Sequence, residues 1–472
     1  MRKTKIVCTL GPATDKDKVL KELMLSVMNV ARFNFSHGKH SDHKRRLEQV
    51  EKLREELDLP VATMLDTKGP EIRVCDFENG KIVLENGQKF TLTVDDIMGN
   101  EERVSVTYKN LVNDVSVGTV LLMDDGLLEL KVIDVTEKDV VCEVVCGGVL
   151  SNHKGVNVPN VDLSMAYISD VDREDIIFGI EQGFDFIAAS FVRTADDVRE
   201  IRKIFDEYNC KDIKIISKIE NLQGVKNIDE IIEESDGIMV ARGDMGVEIP
   251  NEDVPVMQKM IINKVYNAGK MVITATQMLD SMINNPRPTR AETADVANAI
   301  YDGTSAVMLS GESAAGKYPV ESVKTMVKIA ERTEREIDNK KRFNALSRKE
   351  QITVTDAISH ATVTTAHDLN AKVIITVTLS GTTARMVSRY RPQCDIIACT
   401  LDKKVMRQLN LSWGVTPMLI DERKNKTSEL LSSALKYVED KGYIQKGDIA
   451  VMTAGLPLGM SGTTNMLKVE QL

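Results

Sequence analysis

The stretch that decides the fold is residues 213–220, Ile-Lys-Ile-Ile-Ser-Lys-Ile-Glu, followed by residues 237–244, Gly-Ile-Met-Val-Ala-Arg-Gly-Asp. Each is an apolar run that ends abruptly in charge. In an extended strand, residues two apart point the same way. Lys218 and Glu220 therefore share a direction at a strand end, and a neighbouring parallel strand brings Asp244 beside them. Two hard carboxylates suit Mg²⁺ or Mn²⁺ that keeps most of its shell for water and phosphate oxygens. A fixed ammonium beside them suits a phosphoryl group in transit. The same three residues also fit a satisfied salt-bridge cluster at a barrel rim.

Working outward, six more apolar runs of the same kind occur, at residues 5–10, 30–35, 61–65, 186–189, 271–275 and 305–309. Helical stretches separate most of them. Continuous apolar strands alternating with helices indicate a parallel sheet covered on both faces. Eight such units predict a (β/α)8 TIM barrel. Every run after the first ends in residues capable of chemistry: Arg32, Asn34 and Ser36; Asp66 and Thr67; Ser190 and Arg193; Lys218 and Glu220; Arg242 and Asp244; Thr276 and Gln277; Ser310 and Glu312. Barrel active sites lie at the carboxyl ends of the strands.

The barrel is interrupted. Residues 81–94 and 119–135 alternate apolar with polar, and Asn86-Gly87 and Asp125-Gly126 are hairpin signals. An inserted β-rich domain over 70–167 is expected, placed where it acts either as a water-excluding lid or as a rigid decoration. After residue 340 the strand–helix pattern restarts, with strands expected at 373–378, 395–400, 415–420 and 448–453 and a helix at 428–440. That predicts an open, doubly wound α/β domain. The expected division is barrel 1–69, insert 70–167, barrel 168–340 and C-terminal domain 341–472.

Composition narrows the function. The 472-residue chain carries a net charge of −10, which argues against nonspecific nucleic-acid or anionic-membrane binding. Its seven cysteines lack zinc-ribbon spacing and are odd in number, as expected of reduced cytoplasmic thiols. Gly11 and Pro12 cut the N-terminal apolar run short of a signal peptide, and no run is long enough to span a membrane. Neither a Walker A sequence nor the protein-kinase motif set is present.

Arg32, Arg73 and Lys218, from three separate strand or loop ends, suit phosphorylated ligands. Asn34, Ser36, Asp66 and Thr67 offer oxygen donors for a monovalent cation or Mg²⁺, or simply bond one another between strand ends. His37 contacts either a ligand or its own backbone. In the last domain, residues 379–385 (Leu-Ser-Gly-Thr-Thr-Ala-Arg) and 453–465 each follow a strand, as anion-binding turns do. Such turns also use these residues for backbone reasons alone.

KIVCTLGPAT (5–14), ARFNFSHG (31–38), LDTKGPEIR (65–73), IISKIEN (215–221), VARGDMGVE (240–248), ITATQMLDSMINNPRPTRAE (273–292) and AVMLSGESAAGKYP (306–319) resemble pyruvate kinase, in family order along the whole chain. The short bacterial type is the closest in form. The resemblance implies transfer of the phosphoryl group of phosphoenolpyruvate to ADP, giving ATP and pyruvate. By it, Lys218 stabilises the moving phosphoryl group, Arg32 contacts the phosphate, and Glu220 and Asp244 hold Mg²⁺. The backbone at Gly243 and Asp244 with the Thr276 hydroxyl holds the substrate carboxylate. Asn34, Ser36, Asp66 and Thr67 form a K⁺ site, and Arg73, Lys154 and the stretch Asn34, Phe35, Ser36, His37 face the nucleotide. Glu71 resembles the K⁺-dependent type. Ser380, Thr382, Thr383 and Gly462 match a sugar-phosphate effector site, for fructose 1,6-bisphosphate, AMP or another sugar phosphate. A homotetramer is implied.

Enolpyruvate must gain a proton, and a water chain reaching Thr276, with Ser310 and Glu312 as relays, is the expected route. Two rivals stand beside this reading. One is a Mg²⁺-dependent lyase or aldolase acting on pyruvate or phosphoenolpyruvate, which needs no ADP pocket. The other is a noncatalytic metabolite sensor on the same fold, against which the intact Lys218, Glu220 and Asp244 argue.

Overall fold

A computed structural model describes residues 2–345, 352–420, 427–456 and 463–472. All eight apolar runs become parallel strands of one closed barrel: Lys5–Thr9, Val30–Asn34, Ala62–Asp66, Phe186–Ala189, Lys214–Ile219, Gly237–Ala241, Met271–Ala275 and Ala306–Leu309. The physical reason is visible in the burial. These strands face packed side chains inside the barrel and helices outside, so nearly every residue is buried.

Alternation within each strand sets the site. Val7, Val30, Met64, Ala188 and Ile216 belong to the apolar cluster filling the barrel, whereas Cys8, Ala31, Leu65, Ala189 and Ile219 pack outward against the helices. Moving two residues along each strand keeps the side chain pointing inward. Thr9, Arg32, Asp66, Ser190 and Lys218 are thereby the next layer, at the carboxyl end. Below the apolar layer, Leu411 from the C-terminal domain joins the same cluster and closes the other end of the barrel.

The insert forms a six-stranded sheet and a separate two-stranded one. Its exposed strands alternate buried and exposed residues, unlike the barrel strands. Asp125-Gly126 does turn a hairpin, joining Val120–Met123 to Leu128–Val135. Asn86-Gly87 does not. The strand before it, Lys81–Leu84, pairs with Gly148–Ser151, and the strand after it, Lys89–Thr93, pairs with Asp139–Cys146. Gly87 keeps the positive φ of such a turn, at 80°, but its amide donates to Val144 and the turn hands the chain from one sheet to the other.

The C-terminal sheet runs, in spatial order, Val415–Leu419, Asp395–Thr400, Val373–Val377, Ile449–Gly455 and Thr464–Gln471. The first four are parallel and were expected. The fifth is an antiparallel edge strand that the sequence reading missed. Strand order reverses beside Val373–Val377, so the turns after it and after Ile449–Gly455 share the crevice where such sheets bind ligands. This domain docks on the barrel's amino end through buried polar contacts. Arg407 pairs with Asp185 at 2.9 Å, Gln408 donates to the carbonyls of Asp185 and Asp212, and Asn410 donates to the carbonyls of Asn29 and Pro60.

Candidate active site

The inward layer becomes a charge network. Arg32 Nε donates to Asp66 Oδ2 at 2.5 Å, and Arg32 Nη1 donates to Thr9 Oγ1 at 2.9 Å. Lys218 Nζ lies 3.0 Å from both Asp66 Oδ1 and Glu220 Oε1 and donates to Ser190 Oγ at 2.7 Å. Burial opposes ionisation of Asp66, but Arg32 and Lys218 overcome it and hold that carboxyl below its ordinary range. Burial likewise works against the Lys218 ammonium, and Asp66 and Glu220 outweigh it, so Lys218 stays charged well above neutral pH.

Glu220 is the unbalanced member. Burial, reinforced by Asp244, pushes its carboxyl up to about 8 despite the neighbouring ammonium. Its Oε2 accepts the Phe191 amide at 2.6 Å, while Oε1, also buried, faces the Lys218 ammonium at 3.0 Å. Two carboxylates close enough to repel, one of them buried, are what a hard divalent cation would neutralise. No cluster of three or more His, Cys, Asp or Glu side chains fit for a metal occurs among the described residues. A two-carboxylate Mg²⁺ site completed by water and phosphate does not require one.

On the neighbouring strand exits, Gly243 N–H donates to Thr276 Oγ1 at 2.7 Å, and that hydroxyl donates to Ala275 O at 2.6 Å. Thr276 and Gln277 have φ of 68° and 52°, in the left-handed region. For a β-branched residue this conformation costs roughly 1–3 kcal/mol. Phe191 is strained in the same way, with φ 52°, and this aims its amide at Glu220.

Asn34 and Asp66 are register partners on adjacent strands, so their side chains lie side by side. The Asn34 carbonyl oxygen accepts the Ser36 amide at 3.2 Å, and Thr67 Oγ1 accepts the Ser190 amide at 3.1 Å. These are hard oxygen donors on neighbouring strand ends.

Between insert and barrel lies a cleft of about 430 Å³ whose walls include His37, Arg73, Lys154, Asp244 and Glu248. That volume suits a nucleotide-sized ligand. Arg73 is held by Glu71 at 2.6 Å and donates to His153 O at 2.7 Å, and Lys154 pairs with Asp124 at 2.7 Å. Arg73 therefore stands on the insert side of the cleft, apart from the Arg32–Lys218 network. Asn157 of the insert donates to Glu248 of the barrel at 3.0 Å, joining the two walls. Gly69, at the entry to the insert, has φ 77°, and a Cβ there would sit 2.8 Å from Ser190 Cβ. Only glycine lets the chain leave the barrel so close to the site.

Residues 1–323 match the sequence family described as pyruvate kinase, barrel domain, and residues 356–470 match pyruvate kinase, alpha/beta domain. The chain belongs to the pyruvate kinase family. It is 52% identical to a pyruvate kinase of Geobacillus stearothermophilus over 471 residues, covering 99% of this chain and 80% of that one. To a pyruvate kinase of Clostridium acetobutylicum it is 50% identical, covering 100% and 99%. A crystal structure of a pyruvate kinase from Cryptosporidium parvum superposes with a TM-score of 0.94 at 41% identity, covering 100% of this chain and 96% of that one. The chain is accordingly a glycolytic phosphotransferase, and the rival lyase and sensor readings lapse.

Three expected site residues also make structural contacts of their own. The Phe35 side chain is buried in the core, stacked on His43 at 4.0 Å, so only its backbone is near the nucleotide cleft. Glu312 is committed to structure: its two carboxylate oxygens accept the amides of Leu279 and Ser310, at 3.0 and 2.7 Å. Thr276 Oγ1 bonds the Gly243 amide and the Ala275 carbonyl, so a relay to it from Ser310 or Glu312 would run through water. Thr383 is buried and bonds Thr464, in the second of the two turns, at 2.7 Å. Ser380 and Thr382 do line that turn, 3.0 Å apart and beside Arg385. Gly462 lies outside the described residues.

Sequence reasoning gave no role to Ser190, which joins Lys218, Asp66 and the Thr67 carbonyl. Its place two residues beyond Ala188 on an inward-facing register was the available signal. The Phe191 amide had none, because backbone strain leaves no mark on residue type.

Proposed function

We propose that the barrel mouth transfers the phosphoryl group of phosphoenolpyruvate to ADP through the residues assembled above. The observation that carries this is the Lys218 ammonium, fixed at 2.7–3.0 Å from Ser190, Asp66 and Glu220 at the carboxyl end of the barrel. Such a cation is positioned before the reaction and needs no reorganisation as charge shifts between oxygens. Lys218 and Arg32 bind the phosphoryl oxygens. The Gly243 and Asp244 backbone amides and the Thr276 hydroxyl take the substrate carboxylate, which displaces Thr276 Oγ1 from the Gly243 amide. Glu220 and Asp244 would hold Mg²⁺ or Mn²⁺, which neutralises phosphate charge when bound. Asn34, Ser36, Asp66 and Thr67 would hold K⁺. His37, Arg73 and Lys154 orient ADP in the cleft, and the insert excludes water.

The proton for enolpyruvate comes along a water chain reaching Thr276, with Ser310 and Glu312 as relays. The division at residues 69/70, 167/168 and 340/341 belongs to the same reading, as do a cytoplasmic location, a homotetramer, and regulation by a sugar phosphate or AMP at Ser380, Thr382 and Arg385. No helix among the described residues is long and apolar enough to cross a membrane. Mn²⁺ binding, followed by electron paramagnetic resonance, tests the metal assignment. Glu220→Gln and Asp244→Asn should each weaken it at least tenfold, and unchanged binding in both variants would refute it.

A further inference from the structure

Arg242 sits between an apolar strand and Gly243, yet its side chain turns away from the cleft and is 10% exposed. Nη2 donates to Thr276 O at 2.6 Å and Gln277 O at 3.4 Å, and Nε donates to Ala275 O at 3.3 Å. Nη1 donates to Asp295 at 2.7 Å on the helix Arg290–Asp302. Three consecutive carbonyls thus face one guanidinium. That geometry follows from the left-handed pair Thr276–Gln277, because successive helical residues of either hand align their carbonyls. Aligned carbonyl dipoles repel one another, and a planar cation with forked donors at their negative ends offsets both that repulsion and the backbone strain.

The contacts close a loop. Arg242 grips the Thr276 main chain, the Thr276 hydroxyl accepts from the Gly243 amide, and Gly243 is the next residue after Arg242. Without substrate these bonds hold the two strand exits in one relative position, and the Arg242 bonds to the carbonyls of Ala275, Thr276 and Gln277 remain when a carboxylate takes the place of the Thr276–Gly243 bond. We infer that Arg242 is a positioning residue for recognition of the substrate carboxylate, fixing the Gly243 amide and the Thr276 hydroxyl from behind without touching the substrate. The inference rests on the assignment of those two groups to the carboxylate. It makes the pocket selective for a small, planar carboxylate, since neither group can shift to follow a larger one.

The test compares Arg242→Gln, Arg242→Lys, Thr276→Ala and the double variant Arg242→Gln/Thr276→Ala, in the full chain with Mg²⁺ and K⁺. KM for phosphoenolpyruvate, KM for ADP and inhibition by oxalate, a planar carboxylate probe, are read for each. Arg242→Gln should weaken phosphoenolpyruvate and oxalate about tenfold or more while leaving KM for ADP within about twofold. Arg242→Lys should recover part of the loss, because a point charge reaches fewer carbonyls. In the Thr276→Ala background, Arg242→Gln should add little. Equal losses for ADP, fully multiplicative losses in the double variant, or unchanged oxalate inhibition would overturn the role of Arg242 alone. Unchanged oxalate inhibition in Thr276→Ala would instead remove the carboxylate assignment, and the inference with it. If Arg242→Gln does not fold, Asp295→Asn loosens the guanidinium from its other side, with the same expected split between phosphoenolpyruvate and ADP.

Discussion

Replacing Lys218 by methionine keeps most of the stem and removes the charge. Lys218 is 8% exposed, so no solvent screens its action on a phosphoryl group. Losing a preorganised donor of this kind typically raises a barrier by about 3–4 kcal/mol. At about 1.4 kcal/mol per tenfold, kcat should fall by about 10²–10³. The fold should survive. Asp66 retains Arg32 at 2.5 Å, and Glu220, with a carboxyl already pushed up to about 8, can take a proton. The penalty for breaking the pair therefore stays below the roughly 3–5 kcal/mol of a stranded buried charge. Single-turnover quench-flow with saturating phosphoenolpyruvate and ADP measures the step directly, alongside circular dichroism and phosphoenolpyruvate affinity. A folded variant that binds phosphoenolpyruvate normally and turns over within about threefold of the parent would refute the reasoning.

Three more predictions follow from individual contacts. Glu71→Lys places an ammonium where a carboxylate now holds Arg73 at 2.6 Å; turnover without K⁺ should rise relative to turnover with it, and unaltered K⁺ dependence would show that charge at this position does not substitute for the ion. Thr382→Glu puts a carboxylate into the turn where Thr382 Oγ1 now lies 3.3 Å from Arg385, so activation by fructose 1,6-bisphosphate or AMP should be blunted, and an intact response would move the effector site elsewhere. His43 is buried on Phe35, and burial lowers its pKa to about 4. Below about 6.5 the unfolded chain takes up a proton that the folded chain refuses, so stability is complete above 6.5 and is lost as pH falls to 4, by roughly 3 kcal/mol. Denaturant unfolding at pH 7 and pH 4.5 should show a smaller difference in His43→Gln than in the parent.

What the chain reveals to a reader of sequence depends on how local the cause is. The barrel strands were legible because burial on both faces leaves continuous apolar runs, and their polar ends marked the site. Two-residue spacing was read for Lys218 and Glu220 and would have given the rest of the inward layer, including Thr9 and Ser190. The Asn86-Gly87 turn misled because turn residues set the local bend and not the partner of each flanking strand. Thr464–Gln471 was missed because this edge strand carries exposed polar residues such as Asn465, Lys468 and Gln471 that dilute its pattern. Phe35 and Glu312 sit within motifs that suggest chemistry, yet the helix behind one and two backbone amides around the other claim their side chains. Those demands come from packing across the fold, which no single stretch records.

The most direct measurement counts ATP and pyruvate together, from phosphoenolpyruvate and ADP with Mg²⁺ and K⁺. One ATP for each pyruvate, with both cations required, is the predicted result. Pyruvate with inorganic phosphate and no ATP, or no turnover by a folded sample, would contradict phosphoryl transfer at this barrel mouth.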